Sequence, residues 1–195
     1  MSYQNIFTVQ ILGAALVSLA IAVPLSSLAR QYDDEETTAL LRVLNNSKVS
    51  MAEGVQQLTK GGEAAISAKY EFDDNKKLSL SVYTAEKGLG ADPEHNVLKE
   101  FSGSPEKAPW TPEAEVFKDI PHVSRASGQL SLMALAKHPL ADFITMAQKQ
   151  HKGTVFSANP EIQNHHPVLI VLIADKDKVN EVRYDLETGQ VIATR

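Results

Sequence analysis

Ser67-Ala68-Lys69-Tyr70-Glu71-Phe72 and Ser157-Ala158-Asn159-Pro160-Glu161-Ile162 decide the fold of this chain, because they stand 90 residues apart and share one pattern. In the first stretch Ile66, Ala68, Tyr70 and Phe72 alternate with Ser67, Lys69 and Glu71, the period of two that marks a strand. Asp73-Asp74-Asn75-Lys76-Lys77 is turn chemistry, after which Leu78, Leu80 and Val82 alternate with Ser79, Ser81 and Tyr83 in a returning strand. At the same shift Leu78, Leu80 and Val82 fall on Val168, Ile170 and Leu172, and the turn Asn75-Lys76 falls on His165-His166. Val97 to Phe101 reads as a third strand, so the first unit is predicted to be about three antiparallel strands with one face packed and the other wet.

Each strand pair is preceded by a helical pattern. Ser50-Met51-Ala52-Glu53 is a capping box, in which serine and glutamate satisfy each other's orphan backbone donors. The helix that follows has Met51, Val55 and Leu58 on its inner face and stops at Gly61-Gly62. Upstream of the second stretch, Leu140, Ala141, Asp142 and Ile144 match Met51, Ala52, Glu53 and Val55 after Pro139 in a first-turn setting. Between the units, residues 103–112 are rich in Gly and Pro and form the boundary. Val123, Ala126, Leu130, Met133 and Lys137 then share a face of a bridging helix, with Lys137 as its snorkelling end. The fold class is α+β, two helix-plus-antiparallel-sheet modules in tandem after an N-terminal hydrophobic segment. Residues 30–47 form a spacer and short helix, 48–103 the first module, 104–136 a linker and bridging helix, and 137–195 the second module.

The second unit ends in a strand from Val179 to Leu186, a tight turn at Glu187-Thr188-Gly189-Gln190 and a last strand from Val191 to Thr194. The helix, the hairpin and the ending Tyr184-Asp185-Leu186-Glu187-Thr188-Gly189-Gln190-Val191 resemble the PepSY domain, which commonly closes on an apolar strand, an acidic residue, Thr-Gly and an apolar residue. The resemblance covers residues 137–195 well and 48–103 weakly, since the first unit offers only Glu100-Phe101-Ser102-Gly103 at the matching end. It implies a small extracytoplasmic, non-catalytic module, often in tandem, found in propeptides of thermolysin-type metallopeptidases and in envelope proteins. The partner it implies is an envelope protein, such as a peptidase or a sensor.

Composition narrows the alternatives. The 195 residues are 43% hydrophobic and 22% charged, an ordinary globular profile that excludes disorder. A net charge of -5 without a basic block excludes a nucleic-acid footprint, and the lack of Cys excludes disulfides, thiolate metal sites and cysteine nucleophiles. No Gly-x-Ser-x-Gly elbow, His-Glu-x-x-His, phosphate-cradling loop or dinucleotide fingerprint occurs, so no catalytic residue is assigned and no cofactor is implied. A triad built from distant residues would use His122 or His138 as its base. His165-His166 reads as a polar turn, with a surface metal site completed by His151 or Glu161 as the alternative. Asp175-Lys176-Asp177-Lys178 has the alternation of a calcium loop but lysines where a cation would sit, and reads as a turn.

Val168-Leu169-Ile170-Val171-Leu172-Ile173 is apolar on both faces. It is either a central strand covered on both sides or, through Val168, Ile170 and Leu172, an apolar surface that receives a partner. Trp110 in the linker pins it to a sheet or stacks on a ligand. A rival to partner binding is a small-ligand or metal carrier that uses a cleft between the modules.

Residues 1–29 carry no Lys, Arg, Asp, Glu or His. Ile11 to Val23 is apolar or small throughout, Pro24 follows, and Ser27-Leu28-Ala29 supplies the small residues of a cleavage site. The missing basic start keeps an uncleaved anchor open, since the 23 residues from Ile6 to Leu28 could cross a bilayer, and a buried helix is a third reading. A periplasmic or secreted protein, or a membrane-anchored one with an extracytoplasmic domain, is expected. Mass measurement of the native protein should find a mature N-terminus at Arg30; a soluble cytoplasmic form retaining Met1 would overturn both export readings.

Overall fold

The computed structural model describes residues 34–91, 95–176 and 178–194, so the expected leader and cleavage site lie outside the described residues. Helix α1 (Asp34–Val43) runs into a 3-10 turn (Leu44–Asn46), followed by α2 (Met51–Lys60) and strands β1 (Ala64–Phe72), β2 (Leu78–Ala85), β3 (Leu98–Gly103) and β4 (Glu113–Val116). Helices α3 (Ile120–Ala134) and α4 (Leu140–Gln150) then precede β5 (Thr154–Gln163), β6 (His166–Asp175), β7 (Lys178–Asp185) and β8 (Val191–Thr194). The protein is α+β, with all eight strands in one antiparallel sheet of order β4-β3-β2-β1-β5-β6-β7-β8. Among the described residues no helix is long and apolar enough to cross a membrane.

The helix starts follow local chemistry. The capping box at Ser50 is complete: the Glu53 carboxylate accepts from the Ser50 N–H at 2.7 Å and the Ser50 hydroxyl accepts from the Glu53 N–H at 3.3 Å. Asp119 caps α3 through the His122 N–H at 3.1 Å. α2 and α4 lie on one face of the sheet, where Met51, Val55 and Leu58 meet Tyr70, Leu80 and Val82, while Phe143 and Ile144 meet Leu169, Val171 and Tyr184, all buried. The rings of Phe143 and Tyr184 stand 5.3 Å apart.

The seam of the sheet is the β1–β5 pair, in which Ala68 is the register partner of Ala158 and Lys69 of Ser157. The two alanines are the residues that the 90-residue shift superimposes. α3 crosses this seam on the opposite face from α2 and α4. Its buried Gln129 accepts from the Ser67 hydroxyl at 2.9 Å and donates to Asn159 Oδ1 at 2.6 Å.

Several expectations are corrected. The serine face of β2 is not wet: Ser79 and Ser81 are buried, as is every residue of the strand. β4 lies inside the stretch expected to be linker, where Glu-Ala-Glu-Val is too short to show a strand period. α3 stops at Ala134, so Lys137 is beyond it and donates its N–H to Leu186 O; Val123 is exposed. Phe72 is half-buried and Ile162 is 67% exposed, because both sit beside hairpin turns at the sheet margin.

The largest correction is one of register. Tyr70 pairs with Leu80, and its counterpart Pro160 pairs with Leu169, not Ile170. The second hairpin turns tightly on Asn164 and His165, both at positive φ, whereas Asp73 to Lys77 make a longer turn. His166 is therefore the first residue of β6 and not part of the turn. The offset for the returning strand becomes 89, and a one-residue change moves every side chain to the other face. Ile170 thus shares a face with its partner Arg183, while Val171 pairs with Val182 under α4.

Replacing Val171 by Asp should cost about 3 kcal/mol or more in urea denaturation, through an unpaired buried carboxylate. Ile170→Asp should cost about 1 to 2 kcal/mol less, since the Arg183 guanidinium is beside it. Equal losses would place Ile170 and Arg183 on opposite faces.

Candidate functional site

The sheet face that carries α3 is polar over β1 to β4 and includes the raised carboxyl of Glu100. Register places Glu115, Glu100, Tyr83 and Ser67 in one cross-strand row, with Ser102, Ser81 and Lys69 in the next. Burial holds the Glu100 carboxyl above the usual carboxylate range, against a hydrogen bond from Ser81; Glu71 raises it further, while Lys69 and His122 pull it down. The Tyr83 phenol is pushed up to about 12 by burial and by Glu100 and Glu71, with Arg125 opposing. Lys69 and Glu71 form an ion pair at 2.5 Å.

A second polar group lies across the seam. Arg183 is 5% exposed and its Nε donates to Glu181, while its Nη2 has no hydrogen-bond partner. Burial raises the Glu161 carboxyl, opposed by a hydrogen bond from Gln163 and by Arg183. Glu161 is occupied here and is not directed to a metal with His165 and His166, which are both exposed at the hairpin end. His151 caps α4. Among the described residues no three His, Asp or Glu side chains converge as a metal site. Asp177 lies outside the described residues, so the Asp175 turn is described only in part.

The two histidines considered as bases are placed apart. The His122 Nδ1 lies 2.8 Å from both carboxylate oxygens of Asp119, and its ring stacks on Phe117 at 5.5 Å. His138 packs edge-on against Phe143. An Asp–His pair can hold a proton, but the bonds of His122 serve the start of α3 and run to no serine.

The residues weighed as a possible interaction surface are buried, in line with the alternative reading of a covered strand and a pinned tryptophan: Trp110 is 2% exposed, Val168 1%, Ile170 0% and Leu172 5%. Trp110 is a structural peg. Its Nε1–H donates to Gly103 O at 3.2 Å, its own carbonyl accepts from Gln57 Nε2 at 2.9 Å, and its ring lies beside Gly54. At the seam β1 and β5 are paired and α3 spans them. Sequence reading missed Glu100; the one signal available was a carboxylate within an otherwise half-apolar strand.

The described residues also leave open features at the sheet edges and beside α1. The β4 edge exposes Glu113, Ala114, Glu115 and Val116 in unbroken register with β3. The β8 edge exposes Val191 and Ile192, but its register shifts there, a bulge of the kind that blunts an edge. A groove of about 640 Å³ between the start of α1 and the first hairpin is lined by Glu35, Glu36, Asp73, Asp74 and Lys76. The Asp73 carboxylate there is already engaged, accepting from the N–H groups of Asn75 and Lys77.

No family model and no curated protein match the chain. A solved structure of a proposed lipoprotein from Clostridium difficile 630 is similar at 12% identity and a TM-score of 0.36, over 76% of this chain and 93% of that one. A likeness of that size carries no argument about function.

Glu100 folds with its carboxyl raised, so the folded state holds its proton more tightly than the unfolded chain does. The associated stability is present below the ordinary value of 4.5 and is lost as pH rises through the folded value. Glu100→Gln should therefore melt higher than the parent at pH 7, with the gap closing as pH falls toward 4.5. A gap that widened on acidification would mean that Glu100 is stabilised in its charged form.

Proposed function

We propose that the chain is a non-catalytic extracytoplasmic binding or regulatory protein, made of two PepSY-like modules over 48–103 and 137–195 and acting on another envelope protein such as a peptidase or a sensor. A helix followed by four strands occurs twice, the fourth strand of the first set being β4 beyond residue 103, and this recurrence, with Ala68 against Ala158 at the seam, supports the duplication. Export rests on the charge-free leader.

The observation that carries the binding reading is the β4 edge. An open strand offers backbone donors and acceptors to an extended polypeptide, and alternate side chains supply selectivity. Of the two sheet edges, β4 keeps regular register and β8 is bulged. Glu113 and Glu115 on β4, in a chain of net charge -5, favour a basic extended segment, with an on-rate that falls as salt rises.

Retention of partners from an envelope fraction tests this. Exchanging Glu113 and Glu115 for Lys together should weaken the main partner by about tenfold or more and reverse its salt dependence, roughly 1.4 kcal/mol. Ile192→Lys on β8 should leave it unchanged. Loss in the β8 variant alone would move the interface to the other edge. Purified protein should not turn over generic peptide or ester substrates; turnover abolished by changing His122 or His138 would replace the binding reading with a hydrolase.

A further inference from the structure

The side of α3 away from the seam leaves a groove of about 510 Å³ against β3, β4 and the loop before β3, within the size range of small-molecule sites. Val97, Leu98, Val116, Phe117, Val123 and Leu130 form its walls. No Lys, Arg, His, Asp or Glu is among its described lining residues, although the protein carries 43 Lys, Arg, Asp and Glu in all, 19 basic and 24 acidic. The polar residues of the lining are largely spent on the protein itself. Asn96 Oδ1 accepts from the N–H groups of Lys87 and Val97, its Nδ2 donates to Gly88 O, and the Ser131 hydroxyl donates to Ser127 O. At the mouth, Val116 and Val123 are exposed at 43% and 36%, and Ile120 on the preceding turn of α3 at 84%.

The described walls of this groove can bury methylene groups and carry no charged side chain to neutralise a ligand. A charged or multiply hydrogen-bonding ligand would leave its polar groups unpaired inside it, at a cost above what apolar burial returns. We propose that this groove is a binding site for a single aliphatic chain, with the polar end of the ligand left in solvent at the mouth beside Ile120. Its walls come mainly from α3 and the loop before β3, and of the β4 edge only Val116 takes part, so the site does not involve Glu113 or Glu115.

Fluorescence titration with cis-parinaric acid, using full-length exported protein, tests the site. One probe per chain should bind, and dodecanol and laurate should displace it with affinities within about threefold of each other, because the groove does not read the head group. Ser127→Trp fills the groove from an exposed position of α3 and should weaken the probe by about tenfold or more, while Ile192→Lys leaves it unchanged. If the Ser127 variant does not fold, Ser131→Trp is read in the same way. Absence of saturable binding, binding indifferent to both tryptophans, or a preference of about tenfold or more for laurate over dodecanol would overturn the proposal, as would displacement by a partner polypeptide but not by dodecanol. None of these outcomes depends on Glu113 or Glu115, so failure here and failure at the β4 edge are separable.

Discussion

The antiparallel contact of β1 with β5 is the constraint on which the rest of the structure depends. It has only two register pairs, Ala68 with Ala158 and Lys69 with Ser157, and so little backbone pairing cannot hold two half-sheets together unaided. Small side chains make the remainder possible. With Ala68, Ala158, Ser67 and Ser157 at the seam, all buried, helices can approach on both faces: α2 and α4 lie on one side and α3 on the other. Gln129 then spans the strands, receiving a hydrogen bond from Ser67 and giving one to Asn159, so a buried amide is satisfied by both halves at once.

This arrangement divides the sheet chemically. The face under α2 and α4 is apolar and closed. Among the described residues the opposite face has one helix, and small and polar residues line much of it, Ser79 and Ser81 beside Lys69 and Glu71, and Arg183 with Glu181 beside Glu161, while Val168, Ile170 and Leu172 of β6 are buried there as well. The raised carboxyls of Glu100 and Glu161 follow from that geometry, since both are partly desolvated by their strand neighbours and neither gains a full ion pair. An apolar groove on one side of α3 and a polar strip on the other are two consequences of one helix being too narrow to cover the face.

The candidate sites show where sequence reading stops. A buried Trp110 and an apolar β6 look the same in sequence whether they face a partner or a core; their burial in the fold places them in the core. Conversely, the β4 edge and the α3 groove were invisible. Glu113 to Val116 is too short and too mixed to show a period, and the groove is formed by residues from α3, β3 and the loop before it, which no local pattern joins.

What the sequence determined by itself was local: the period of two in β1 and β2, the capping box at Ser50, the α2 and α4 helices, the turn after Asp185 and the recurrence of the pattern near 90 residues. Each of these depends on neighbours within a few positions, which is the range over which backbone geometry and side-chain capping act. Tertiary structure decided which face each strand of the second hairpin shows. The tight turn at Asn164 and His165 shortens the return by one residue relative to the first hairpin, and in a strand one residue is the difference between the core and the other side. It also decided that the two patterns would complete one sheet, because an unpaired β1 or β5 edge lined with alanine and serine is satisfied most directly by the other.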